Sequence, residues 1–112
     1  MADYKEIVKG RIISRESSAP LGGAEVKVFD KDVLLDDRLG EAVTDDNGYF
    51  QVEFTSSDFK GGSFEDRPDI YLKVKNPLTG KTSKSKVYDE LSGEIGDDDE
   101  VETMDLGDVP VD

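Results

Sequence analysis

Leu39-Gly40-Glu41-Ala42-Val43-Thr44-Asp45-Asp46-Asn47-Gly48-Tyr49-Phe50-Gln51-Val52-Glu53-Phe54 is the stretch that decides the fold. In its second half Phe50, Val52 and Phe54 alternate with Tyr49, Gln51 and Glu53, a period of two that puts one set of side chains on each face of a β-strand. Asn47 and Gly48 tolerate positive φ, so Asp45-Asp46-Asn47-Gly48 predicts a chain reversal. The whole stretch reads as a β-hairpin, with a short strand over 39–44 and a second over 49–54.

The same period recurs on either side. Upstream, Val8, Gly10 and Ile12 alternate with Lys9 and Arg11, and Ala24, Val26 and Val28 alternate with Glu25 and Lys27. Ser17, Ser18, Pro20, Gly22 and Gly23 supply the turn between them. Downstream, Ile70, Leu72 and Val74 alternate with Tyr71, Lys73 and Lys75, and Asn76-Pro77-Leu78-Thr79-Gly80 makes a further turn. The stretch 82–88 is less apolar, and Lys84 and Lys86 give it the character of a charge-protected edge strand. A last strand over 101–106 returns Met104 and Leu106 to the core. Nowhere do apolar residues recur at the three-and-four spacing of a packed helix. Seven strands separated by turn signals predict an all-β, seven-stranded antiparallel Greek-key β-sandwich.

The 112 residues suit one domain, 1–112, in which the acidic segment 90–100 is expected to be mobile because Gly93, Gly96 and Asp97-Asp98-Asp99-Glu100 combine flexibility with self-repulsion. Charged residues make up 37% of the chain and the net charge is −13. That balance argues against nucleic acid or an anionic membrane as partner and leaves another protein or domain as the expected one. The chain has no cysteine and no histidine, which removes disulfides, thiolate and imidazole metal ligands, and every nucleophile–histidine pair. No catalytic residues are assigned and the chain is expected not to be an enzyme. Its start, Met-Ala-Asp-Tyr-Lys-Glu, lacks the apolar stretch of a secretion signal, and no apolar run approaches membrane-spanning length, so the expected location is cytoplasmic.

Three spaced segments carry a family resemblance: Val8-Lys9-Gly10-Arg11-Ile12-Ile13, then Ala19-Pro20-Leu21-Gly22-Gly23-Ala24-Glu25-Val26-Lys27-Val28, then Thr44-Asp45-Asp46-Asn47-Gly48-Tyr49-Phe50. Together they resemble the transthyretin-like and carboxypeptidase regulatory-like β-sandwiches. Phe29-Asp30-Lys31-Asp32, Leu34-Leu35-Asp36-Asp37, Leu39-Gly40 and Phe64-Glu65-Asp66-Arg67-Pro68-Asp69-Ile70-Tyr71-Leu72 extend it toward bacterial transthyretin-like domains. The resemblance runs over residues 7 to 76 and fades after Tyr88. It implies a scaffold rather than a reaction. The family's hydroxyisourate hydrolases use His and Arg and end in Tyr-Arg-Gly-Ser, and the similar intradiol dioxygenases hold iron with Tyr and His. This chain lacks histidine and ends Val-Pro-Val-Asp, so the resemblance does not extend to either activity.

The candidate site is the loop Asp30-Lys31-Asp32-Val33-Leu34-Leu35-Asp36-Asp37, with Asp45 and Asp46 as further contributors. Asp30, Asp32, Asp36 and Asp37 are the candidate metal ligands, for calcium, which takes six to eight oxygens from converging carboxylates. As an EF-hand the loop fails, because Leu34 and Leu35 stand where a ligand and the obligatory glycine belong. The competing structural role has Asp30 and Asp32 bonding loop amides while Asp36 and Asp37 stay solvated. Arg67 beside Pro68 reads as a loop-fixing ion-pair residue, and Phe59 and Phe64 as plugs at an open end of the sandwich.

Overall fold

The computed structural model of the chain describes residues 5–31, 37–55, 69–88, 94–95 and 101–112. These residues form eight strands: β1 (Lys5–Ser14), β2 (Glu25–Asp30), β3 (Asp37–Val43), β4 (Tyr49–Thr55), β5 (Ile70–Lys75), β6 (Thr82–Lys84), β7 (Glu94–Ile95) and β8 (Val101–Val111). They make two four-stranded sheets, ordered β4-β1-β8-β7 and β3-β2-β5-β6. The fold is therefore all-β, a sandwich of two layers.

Its core is the set of rows that alternation predicts. Val8, Ile12, Ala24, Val26, Val28, Phe50, Val52, Phe54, Ile70, Leu72, Val74 and Met104 are all buried and form one cluster. At about 1.5–3 kcal/mol for each buried aliphatic or aromatic side chain, these rows are the main force holding the layers together. Gly10 belongs to the β1 row because Phe50, its register partner in β4, fills the space: a Cβ on Gly10 would sit 3.1 Å from that ring and from the Gly107 carbonyl. The same row continues to Glu6, fully buried, where a reading of apolar residues alone stops short.

The reversal at 45–48 forms, but it does not close a hairpin. β3 pairs with β2, and β4 pairs with β1 in the other sheet. Asp45-Asp46-Asn47-Gly48 is instead the crossing from one layer to the other. Alternation records which side of a strand is apolar, and two strands facing each other across a core satisfy it as well as two lying side by side. Three contacts build the crossing. The buried Thr44 hydroxyl donates to the Leu21 carbonyl (2.6 Å) and accepts the Ala24 N–H (2.8 Å). The Asp45 carboxylate accepts the N–H groups of Asn47 (2.9 Å) and Tyr49 (3.0 Å). Gly48 sits at φ 84° with its carbonyl accepting the Ile12 N–H, and a Cβ there would lie 2.6 Å from the Ile12 carbonyl oxygen.

Two further expectations are corrected. The sheets are not wholly antiparallel, because β8 runs parallel to β1, a direction that side-chain patterning does not encode. Among the described residues the strands number eight rather than seven: Glu94 and Ile95, within the segment expected to be mobile, pair with Thr103 and Glu102 as β7. The rest of 90–100 lies outside the described residues. β8 also continues past Leu106 to Val111, with Val109 and Val111 buried.

The crossing yields a test by urea unfolding. Gly48→Ala, forced into positive φ against the Ile12 carbonyl, is expected to lose about 2 kcal/mol or more. Thr44→Val, which strands a buried carbonyl and a buried N–H, is expected to lose about 2 kcal/mol. Losses below about 0.5 kcal/mol in both, the range of neutral surface changes, would show that other contacts hold the corner.

Candidate functional site

On the outer face of the β4-β1-β8 sheet lies an open cleft of about 530 Å³. Three strands supply its floor by register. Lys9 of β1 stands opposite Gln51 of β4 and Asp105 of β8, and Arg11 stands opposite Tyr49 and Asp108. Between those two rungs β8 carries one residue more than β1, a bulge with Gly107 at φ 69°. Bulges re-aim side chains, and here the extra residue spreads Asp105 and Asp108 apart. The Asp105 carboxylate accepts the Gly107 N–H at 2.9 Å and so fixes the bend.

Arg11 is held from two sides. Its guanidinium lies 5.6 Å from the centre of the Tyr49 ring, and its Nε donates to the Asn47 carbonyl at 3.2 Å. Tyr49 is 54% exposed and Val43, on the rim, 62%. Lys9, Asp105 and Asp108 form no ion pair within 4 Å among the described residues. The cleft thus offers two cations, three carboxylates (Asp45, Asp105 and Asp108), an amide and an aromatic face, all in contact with water. Such a set can hydrogen-bond and stack on a partner.

A second cleft, of about 300 Å³, opens between β6 and β8 beside Arg15, Lys84, Lys86 and Tyr88. Arg15 ion-pairs with Asp112 at 3.2 Å and donates to the Pro110 carbonyl. The Lys86 ammonium lies 5.0 Å from the centre of the Tyr88 ring. Burial pushes the Tyr88 hydroxyl above its ordinary pKa of 10.0.

Of the acidic loop singled out by sequence, Asp30, Lys31 and Asp37 are among the described residues. Asp30 ends β2 with its side chain mostly buried, and its Oδ1 accepts the Asp69 N–H at 3.2 Å. Asp37 opens β3 directly opposite Asp30 in the ladder. Asp32 and Asp36 lie outside the described residues, as do Phe59, Phe64 and Arg67. Asp45 and Asp46 lie past the far end of β3 from Asp37. β3 separates them from Asp37 by about 20 Å at 3.3 Å per residue, and the Asp45 carboxylate is engaged by its own turn. Among the described residues no three acidic groups converge as metal ligands would.

Sequence reading missed the cleft because its residues come from strands whose adjacency is invisible in the sequence. A faint signal was there: a glycine inside an alternating stretch, Gly107, often marks a bulge.

This architecture defines a small all-β sandwich with most of its charged groups on outer faces and loops. A family model for the transthyretin-like family matches residues 9–89, more than half of the chain, and the chain belongs to that family. No curated protein matches its sequence. Among solved structures, a 9R-lipoxygenase from Cyanothece PCC8801 is similar at 26% identity and a TM-score of 0.60, over 97% of this chain and 16% of that one. Chlorocatechol 1,2-dioxygenase from Pseudomonas putida is similar at 17% identity and 0.60, over 97% of this chain and 61% of the enzyme. Catechol 1,2-dioxygenase from Acinetobacter gives 11% and 0.56, over 98% and 53%. The two dioxygenases share the fold, and this chain spans less than two thirds of each of the three proteins. Among the described residues no helix is long and apolar enough to cross a membrane.

Tyr88 supplies a pH test. Its folded-state pKa is raised above 10.0, so the folded chain holds the phenolic proton more tightly than the unfolded chain. The resulting stability is present below pH 10 and is lost as pH rises through the raised value. Urea midpoints measured from about pH 9 to 11 should fall, and fall less steeply in Tyr88→Phe. Parallel curves for the two proteins would contradict the assignment.

Proposed function

We propose that this chain is a non-catalytic accessory module that makes protein contacts through its outer surface. The observation that carries this reading is the setting of the cleft groups. Lys9, Arg11, Asp105 and Asp108 project from the outside of a sheet into water, without the enclosure that lets an acid–base pair do chemistry. An exposed tyrosine backed by an arginine is, by contrast, what protein interfaces use as an anchor. That the chain corresponds to 16% of the similar lipoxygenase supports a role as a unit attached to or working beside others.

Two measurements check it. Oxygen uptake with catechol or chlorocatechol and added iron should not exceed that of iron alone, and turnover above that level overturns the non-catalytic reading. Tyr49→Ala and Arg11→Glu should keep the wild-type melting temperature yet lose whatever partner the wild-type chain retains. Retention equal to wild type in both variants moves the contact off the cleft.

Calcium at Asp30, Asp32, Asp36 and Asp37 is a second reading, favoured by one observation: the β2–β3 ladder sets Asp30 opposite Asp37 and so draws the ends of the acidic loop together. A calcium ion present at about a hundred times its Kd would add about 2.7 kcal/mol of stability. Calorimetric titration and thermal unfolding in millimolar calcium chloride read this out, and no heat together with no shift removes the reading.

A further inference from the structure

The outer face of the β3-β2-β5-β6 sheet carries the opposite sign of charge to the chain as a whole. Side chains there alternate with the buried rows, and register places Lys27, Lys73 and Lys84 side by side across three adjacent strands. Lys75 lies one rung along, opposite Glu25, and Arg38 lies opposite Phe29. Five cations (Lys27, Arg38, Lys73, Lys75, Lys84) thus share the face with two carboxylates, Glu25 and Glu41, a local excess of three positive charges on a chain of −13. Glu41 is already taken by Arg38 at 2.7 Å. None of the four lysines has an ion-pair partner within 4 Å among the described residues.

This row is costly for the fold. Like charges directly opposite one another on neighbouring strands are destabilising, and here two such pairs adjoin, Lys27 with Lys73 and Lys73 with Lys84. Protection of an edge explains lysines on β6, but β2 and β5 are interior strands of their sheet. The ammonium groups are also gathered rather than splayed. Phe29 and Tyr71 stack with ring centres 5.2 Å apart, and Lys73 and Lys84 rest their ammonium groups 5.0 Å and 4.5 Å from the centres of these rings. The stack therefore concentrates positive charge on one spot of a flat surface.

We propose that this face docks an acidic polypeptide segment, a partner whose carboxylates relieve the lysine row. The proposal rests on the reading of the chain as an interaction module and names the chemistry of a partner. Charge complementarity selects an anion, and the size of the patch selects its kind. The row spans three strands, about 10 Å at 4.8 Å per strand, comparable to the Debye length of about 8 Å in physiological salt. A membrane or a long nucleic acid reaching past that patch meets the acidic remainder of the chain, whereas a short acidic peptide does not.

The probe is a synthetic peptide with the sequence of residues 94–105 of this chain, which holds seven acids and no base, labelled for fluorescence anisotropy. The whole chain should bind it, with affinity falling steeply between about 50 and 300 mM salt. Lys73→Glu should bind more weakly and the double variant Lys73→Glu/Lys84→Glu about tenfold or more weakly, while Lys5→Glu, one such reversal on the other sheet and outside the cleft, should bind as the wild type does. Lys73→Gln/Lys84→Gln, which removes both charges without reversing them, serves as the binding variant if the charge reversal fails to fold. No peptide binding at 50 mM salt, or a loss in Lys5→Glu equal to that in Lys73→Glu, overturns the proposal. So does tighter binding, through the same lysines, of a 20-nucleotide DNA or of vesicles containing a third phosphatidylglycerol. The two proposals fail separately: a null titration with cleft-dependent partner retention leaves the module reading standing, and catalytic turnover with peptide binding intact overturns that reading alone.

Discussion

The parallel seam between β1 and β8 is the interaction on which the rest of the sandwich depends. β1 lies between β4 and β8, and without β8 it would form only a two-stranded ribbon with β4, a unit of marginal stability in water. Closing the seam joins the start of the chain to its end, at an entropic cost on the order of 4 kcal/mol for so long a loop. Val8, Ile12, Met104, Val109 and Val111, buried along it, offset that cost several times over at about 1.5–3 kcal/mol each. The two strands can run so close because Gly10 presents no side chain where the Gly107 carbonyl approaches. The seam also builds the cleft, since it alone sets Asp105 and Asp108 beside Lys9 and Arg11.

Much of this was legible in the sequence. Period-two patterning placed β1, β2, β4 and β5 within two residues of their observed ends, and of the thirteen apolar side chains turned inward twelve are buried and Leu106 is half-buried. Pairing and direction were not legible, because alternation fixes a strand's inward side without saying which neighbour it takes. Hence the corner at Thr44 to Gly48 read as a hairpin. Glu6 and Tyr71 were hidden for a different reason. Each is buried against the habit of its type, Glu6 by lying in phase with Val8, and Tyr71, which points outward, by stacking on Phe29 beneath Lys84. Of the candidate site residues, Asp30 and Asp37 stand opposite one another in the β2–β3 ladder. The cleft required a register that no local signal supplies.

Net charge is a sum, whereas binding responds to the field within about a Debye length of a surface. Strand registers sort this chain's charges in a way composition does not reveal. Lys27, Lys73 and Lys75 occupy outward positions of interior strands, while acids crowd the stretch from Glu94 to Asp105. A total of −13 therefore does not describe the outer face of the β3-β2-β5-β6 sheet.

Two facing sheets stand about 10 Å apart, and in this chain the gap is filled by interlocking valine, isoleucine, leucine and phenylalanine side chains. Among the described residues the exposed polar side chains are accordingly gathered on the outer faces and at the ends of the sandwich. At one end the chain crosses between layers through Thr44 and Gly48. At the other, Glu6 and Asp30 bring two buried carboxyl groups to the margin of the core, and the Asp30 carboxylate ties β2 to the entry of β5 through the Asp69 N–H. A carboxylate fixing backbone at that margin costs desolvation that an apolar residue would avoid. It does, however, hold the ends of β2 and β5 in register. The outward rows of both strands inherit that register, so the alignment of Lys27 with Lys73 depends on an aspartate buried at the end of the sheet.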